Sequence, residues 1–153
     1  MIVRSSGYFM KNQNTPRIAV LGFGEAGSCL CKGWGLGGVR AFDIKQHGGS
    51  LLAAEKVREM SLAGVIVGDD AASIAHGSDM IFSTVTADQA HAAASAVTKA
   101  IKPGAYYLDL NSCAPSTKRK NAAVITRAGG FYIDVAVMAT ITPKYHQTAM
   151  LVS

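Results

Sequence analysis

The run Arg17-Ile18-Ala19-Val20-Leu21-Gly22-Phe23-Gly24-Glu25-Ala26-Gly27 passes from an apolar, β-type segment into glycines and then into a helix-forming segment. Gly22 lets the chain turn sharply out of a strand. Gly24 lets backbone approach phosphate oxygens with no β-carbon between, and Gly27 lets the helix lie close on the sheet. Unpaired N–H groups and the positive end of the helix dipole favour an anion at such a place. The stretch therefore reads as the seat of a nucleotide pyrophosphate, with Gly22, Phe23, Gly24, Glu25, Ala26 and Gly27 as its loop. The spacing alone is weak evidence, because a chain with 16 glycines sometimes produces it by chance. Context strengthens it: a second apolar run ends in Asp43, about 20 residues after the first glycine, where this fingerprint places a carboxylate for the ribose hydroxyls. The alternative for Asp43 is a strand-end turn residue, and for the glycines a structural turn.

Downstream, apolar strand-type runs alternate with helical ones. A helix from Glu25 to about Lys32 is followed by a strand at 39–43. Next come a helix over 50–60 with Leu51, Leu52, Ala54 and Val57 as its apolar face, and a strand at 64–67. Asp70 caps a short helix to about His76. The segment 79–85 is a nearly continuous apolar strand of the kind buried on both faces. Thr86 to Ala100 is an alanine-rich helix, 105–110 a fifth strand, and Pro115 to about Arg127 another helix. Gly129-Gly130 stops that helix before a sixth strand at 132–137, and 148–153 has the pattern of a seventh. Six strands alternating with helices predict an α/β, doubly wound parallel sheet with an extra C-terminal strand. Ligands of such a sheet sit beyond the carboxyl ends of the strands. There the sequence places the glycine loop, Asp43, Lys45, Thr84, Val85, Thr86, Asn111 and Ser112.

Residues 1–16 read as a loose tail and 17–153 as one domain. The tail has no apolar core of the length a secretory signal needs, and Met10 is a candidate translation start. No apolar stretch approaches the roughly 20 residues that span a bilayer, so no membrane partner is expected. A net charge of +5 is dispersed except at Lys118-Arg119-Lys120 and argues against a nucleic-acid partner. The three cysteines have no disulfide-framework spacing, which fits a reducing, cytoplasmic setting. His47, His76 and His91 lack metal-ligand spacing, and no metal is expected. Cys113 has no recognisable His partner and reads as a buried or loop-lining thiol. Trp34, Tyr106 and Tyr107 read as packing residues.

The fifth strand ends in Asp109-Leu110-Asn111-Ser112-Cys113-Ala114-Pro115. Together with the glycine loop, this makes Arg17 to Ser153 resemble the Rossmann-type cofactor domain of the β-hydroxyacid dehydrogenases, which include 6-phosphogluconate dehydrogenase and 3-hydroxyisobutyrate dehydrogenase. The resemblance implies NAD or NADP as cofactor and a small hydroxy or keto acid as substrate, with Asn111 and Ser112 beside the nicotinamide and the substrate. Asp43 favours NAD, while Lys45 or Arg40 offsets part of its repulsion of a 2′-phosphate. The family's Ser-Gly-Gly after the sixth strand is absent from Asp134-Val135-Ala136-Val137-Met138-Ala139-Thr140, which points to a divergent branch. The family's catalytic Lys lies in a helical domain beyond the region of resemblance, so no catalytic residue is assigned. Lys144 and His146 read as solvated, and Lys118 as solvent-facing rather than substrate-facing. Two readings therefore stand, the cofactor unit of a dehydrogenase or a dinucleotide-binding module without catalysis. A methyltransferase or nucleotide-binding regulator on a similar sheet is a third. An apolar patch near the edge of the sixth strand is expected to make the chain a homo-oligomer or an aggregation-prone monomer.

Overall fold

The computed structural model describes residues 15–153. The Met10 start and nearly all of the expected tail lie outside the described residues. Seven strands and five helices alternate: β1 (Ile18–Leu21), α1 (Glu25–Trp34), β2 (Arg40–Phe42), α2 (Leu51–Leu62), β3 (Ile66–Val67), α3 (Ala71–Ala75), β4 (Met80–Ser83), α4 (Ala90–Val97), β5 (Tyr106–Asp109), α5 (Pro115–Arg127), β6 (Phe131–Val137) and β7 (Met150–Val152). They form one sheet in the order β3-β2-β1-β4-β5-β6-β7. The first six strands are parallel and β7 runs antiparallel to β6. The chain starts in the middle, winds to one edge, and returns to the other side of β1. The order reverses between β1 and β4, and a crevice opens there at the carboxyl ends.

Alternation along β1 explains the two cores. Ala19 and Leu21 face one side and pack with Ile74, Ile81, Ala94, Val97, Tyr107 and Ile125, under α3, α4 and α5. Ile18 and Val20 face the other and pack with Phe23, Cys31, Ala41 and Met60, under α1 and α2. Trp34 packs against Phe82 with the rings tilted and their centroids 4.8 Å apart. Burial pushes the Cys31 thiol up to about 12, which leaves it inert, and Cys29 points elsewhere, 3.7 Å from Thr142 Oγ1.

Several elements depart from expectation. The face of α2 is rotated: Ala53 and Met60 are buried, whereas Leu51 and Leu52 are 83% and 74% exposed and Ala54 and Val57 also face outward. Positions 53, 56 and 60 are the helical stripe that meets the sheet, and Lys56 Nζ donates to the Phe23 carbonyl at 3.0 Å. α4 begins at Ala90 instead of Thr86, because the chain first closes a turn in which Gln89 N donates to Thr86 O at 3.0 Å. Tyr107 is a packing residue, but Tyr106 lies exposed at the surface against Phe131.

Beneath the carboxyl ends of β5 and β6 lies a fully buried carboxylate, Asp109. Its Oδ1 accepts from Asn111 N at 3.0 Å and Asn111 Nδ2 at 2.8 Å, and lies 3.1 Å from Lys118 Nζ. Its Oδ2 accepts from Asn121 Nδ2 at 3.0 Å and Tyr132 Oη at 2.8 Å. Lys118 also donates to the Asp109 carbonyl and to Asp134 Oδ1, both at 2.8 Å. One acid thus ties β5, α5 and β6. Burial raises its pKa, but the hydrogen bonds from Asn121, Tyr132 and Asn111 and the charge of Lys118 outweigh that and hold the carboxyl below its ordinary range.

Asp109→Asn replaces an acceptor by a donor facing donors, and is expected to cost about 3 kcal/mol in urea unfolding. Because the folded carboxyl takes up its proton less readily than the unfolded one, its stabilisation is complete above about pH 4 and is lost as pH falls through the depressed folded value. Acid titration of the parent, but not of the Asn variant, should show that loss. At Gly27 a β-carbon would collide with the Gly22 carbonyl oxygen and lie 2.8 Å from Thr84 Oγ1. Gly27→Ala should therefore destabilise by roughly 1–3 kcal/mol, measurable as a lowered Tm.

Candidate functional site

The glycine loop is built by its neighbours. Gly22 has a positive φ of 89°, and a β-carbon there would lie 2.6 Å from the Thr84 carbonyl oxygen. Gly22 N donates to Phe42 O at 2.8 Å, Thr84 Oγ1 donates to Gly22 O at 2.7 Å, and Phe23 N donates to Asp43 Oδ2 at 2.7 Å. At Gly24 the space is open: nothing lies within 4 Å of an added β-carbon. Gly24 is also the N-cap of α1 and brings no side chain to its first-turn amides. Backbone donors at the positive end of a 10-residue helix thus border free space.

That space is a cavity of about 300 Å³. Gly22, Gly24, Asp43, Lys45, Thr84, Val85 and Thr86 line it, so the structure brings together most of the expected cofactor residues. Its remaining wall includes Phe42, Ile44, Ala71 and the small residues Ala92, Ala93 and Ala96 of α4. These were missed; the signal was the alanines three and four apart on one helix, whose shortness leaves room. Phe23, Glu25, Ala26 and Gly27 do not line the cavity. Phe23 is a core side chain, Glu25 accepts from Thr142 Oγ1 at 3.4 Å, and Gly27 is a packing contact. Arg40 is not at this site either. Its guanidinium donates to the carbonyls of His76 at 2.8 Å and Ser73 at 3.4 Å, at the C-terminus of α3.

Asp43 is buried, and its carboxylate is not free in the way expected. Oδ2 holds Phe23 N, and Oδ1 accepts from Lys45 N at 2.9 Å within a capping box closed by Gln46. It clamps the glycine loop to the turn after β2. Each oxygen retains a second lone-pair direction for a hydroxyl donor. The open amides at Gly24, the carboxylate at the end of β2 and the small-residue wall fit a dinucleotide's phosphates and adenosine.

A second cavity of about 440 Å³ lies beyond β5 and β6 and is lined in part by Asn111, Ser112, Cys113, Lys118, Arg119 and Asp134. Asn111 is buried; its Nδ2 donates to Asp109 Oδ1 and, at 2.9 Å, to Ser83 Oγ, and its Oδ1 has no partner. Two acceptors therefore fix which way its amide faces. Ser112 is exposed beside it. Lys118 is not solvent-facing as expected. Burial lowers its pKa, but bonds to Asp134 and Asp109 more than offset this and keep it charged. Burial and the Asp109 charge push the Cys113 thiol up, so it is not an activated nucleophile. His91 meets Asn121 Oδ1 at 2.9 Å. Lys144 and His146 are exposed, as expected.

The family model described as the NAD binding domain of 6-phosphogluconate dehydrogenase matches residues 17–152. A conserved protein from Sinorhizobium meliloti 1021 is 31% identical with a TM-score of 0.79, over 90% of this chain and 46% of its own. Mycobacterium tuberculosis 3-hydroxyisobutyrate dehydrogenase, solved with L-serine, is 22% identical with a TM-score of 0.71, over 82% and 42%. An imine reductase from Myxococcus stipitatus in complex with NADP+ is 23% identical with a TM-score of 0.66, also over 82% and 42%. The chain thus spans less than half the length of these solved relatives. No curated protein sequence matches it. A strand order that reverses beside an uncapped glycine loop, and a family match over almost every described residue, give one conclusion: this chain belongs to the family of 6-phosphogluconate dehydrogenase NAD-binding domains.

Proposed function

We propose that this chain is the cofactor-holding unit of an oxidoreductase acting on the CH–OH group of a small hydroxy acid, working in a reducing, cytoplasmic setting. The observation that carries the reading is the open, uncapped N-terminus of α1 at Gly24, beside a cavity that Asp43 also lines. The glycine-loop amides hold the pyrophosphate, Asp43 accepts from the adenosine ribose hydroxyls, and the α4 alanines bound the adenosine. A bound nicotinamide supplies the hydride chemistry. Asn111 and Ser112 border its reacting end and the substrate. Lys118, held as a cation by two carboxylates, is not assigned the transfer of the hydroxyl proton.

NAD is the preferred cofactor in this reading. Asp43 repels a 2′-phosphate, and with Arg40 tied to α3 only the exposed Lys45 offsets it. Titration with NADH and NADPH, followed by cofactor fluorescence, should show NADH bound about tenfold more tightly, a difference of roughly 1.4 kcal/mol. Gly24→Val fills the space meant for phosphate and should abolish binding while leaving Tm within a few degrees of the parent. Asp43→Asn should weaken NADH and improve NADPH. The assignment fails if both variants bind NADH as the parent does.

A further inference from the structure

The outward face of α2 carries large apolar side chains that the fold does not use. Leu51 and Leu62 are 83% and 77% exposed at opposite ends of the helix. Between them on the same stripe stand Glu55 and Arg58, also exposed. The four positions are spaced four, three and four residues apart, so they share one face. Glu55 and Arg58 form no ion pair with other described residues, whereas the neighbouring Lys56 and Glu59 pair with each other at 2.5 Å. The stripe therefore reads apolar, acidic, basic, apolar, and it reads as its own complement when laid antiparallel on a copy of itself.

We propose that α2 is a homodimer interface, in which two copies of this chain pair their α2 helices antiparallel about a two-fold axis. Leu51 of one copy meets Leu62 of the other, and Glu55 of one meets Arg58 of the other. The axis passes between Lys56 and Val57, and each contact occurs twice, as a two-fold requires. The charge order selects this partner and this direction. A parallel pairing in the same register sets Glu55 against Glu55 and Arg58 against Arg58, which repel. Ile66 of the edge strand β3 is 55% exposed and adds apolar surface at the same edge of the sheet. One helix pair with such flanks is a small interface, so the dimer is weak, with a dissociation constant on the order of 100 μM. The surface lies toward the β3 edge of the sheet, opposite the β6 and β7 side where the sequence analysis expects an apolar patch.

The test is sedimentation equilibrium of the chain across concentrations from about 10 μM to 1 mM. The parent should show a monomer–dimer equilibrium. Glu55→Arg and Arg58→Glu each turn attraction into repulsion, and each should weaken self-association by about ten- to thirtyfold. Mixed together, these two variants should recover association close to that of the parent, because every charge again meets its opposite only in the heterodimer. Leu62→Asp should abolish association independently of the charges. All these positions are exposed, and near-UV circular dichroism should be unchanged. A parent that stays monomeric at 1 mM overturns the proposal. So does association that survives either single reversal, or a mixture of the two that stays monomeric. None of these outcomes depends on cofactor binding, so a failure here leaves the reading of the nucleotide groove standing.

Discussion

The carboxylate of Asp109 is acceptor-only and has no exposure to water, so everything around it must donate. Five donors from four residues converge on it: Asn111, Lys118, Asn121 and Tyr132. These donors come from the loop after β5, from α5 and from β6, and their positions are set by the need to satisfy one charge. The second cavity inherits its shape from this. Asn111 cannot flip, because both of its amide hydrogens are taken by Asp109 and Ser83, and Lys118 cannot swing into solvent, because Asp134 holds it from the other side. A buried ion pair is a poor source of net stability, since desolvation consumes most of the Coulomb gain. What it fixes here is orientation at the end of β5.

The glycine loop depends on a comparable arrangement at the other cavity. Thr84 just after β4, Phe42 from β2 and the Asp43 carboxylate each hold one group of the turn, and Lys56 reaches from α2 to the Phe23 carbonyl. Three elements distant in sequence therefore present the same few backbone amides. The loop's own residues contribute mainly by lacking side chains.

The parts of this fold legible in the sequence were those where a local pattern coincides with a tertiary requirement. The alternation of strands and helices, the junction at Gly22 and the antiparallel seventh strand's existence follow from runs of apolar residues and punctuating glycines. Asp70 capping α3 and Pro115 opening α5 are set within a few residues of chain. The failures share a cause. Lys118 looked solvated because nothing nearby in sequence shows that Asp109 and Asp134, on adjacent strands, will face it. The inward face of α2 was misjudged because its strongest apolar residues, Leu51 and Leu52, are not those that meet the sheet, where Ala53, Met60 and the stem of Lys56 sit instead. Asp43 was correctly placed at the end of β2, but its bonds to Phe23 N and Lys45 N are visible only once the loop is folded against it.

Gly24 and Gly27 are chemically identical and three residues apart, yet they answer to different constraints. A side chain at Gly27 collides with the protein itself, while one at Gly24 meets nothing. Selection for folding alone would keep the first and be indifferent to the second. In a lineage that kept this sheet but abandoned nucleotides, position 24 would drift to larger residues while position 27 stayed glycine. The pair thus separates two constraints on one motif: packing alone accounts for glycine at 27, while only the nucleotide role proposed for the groove would hold glycine at 24.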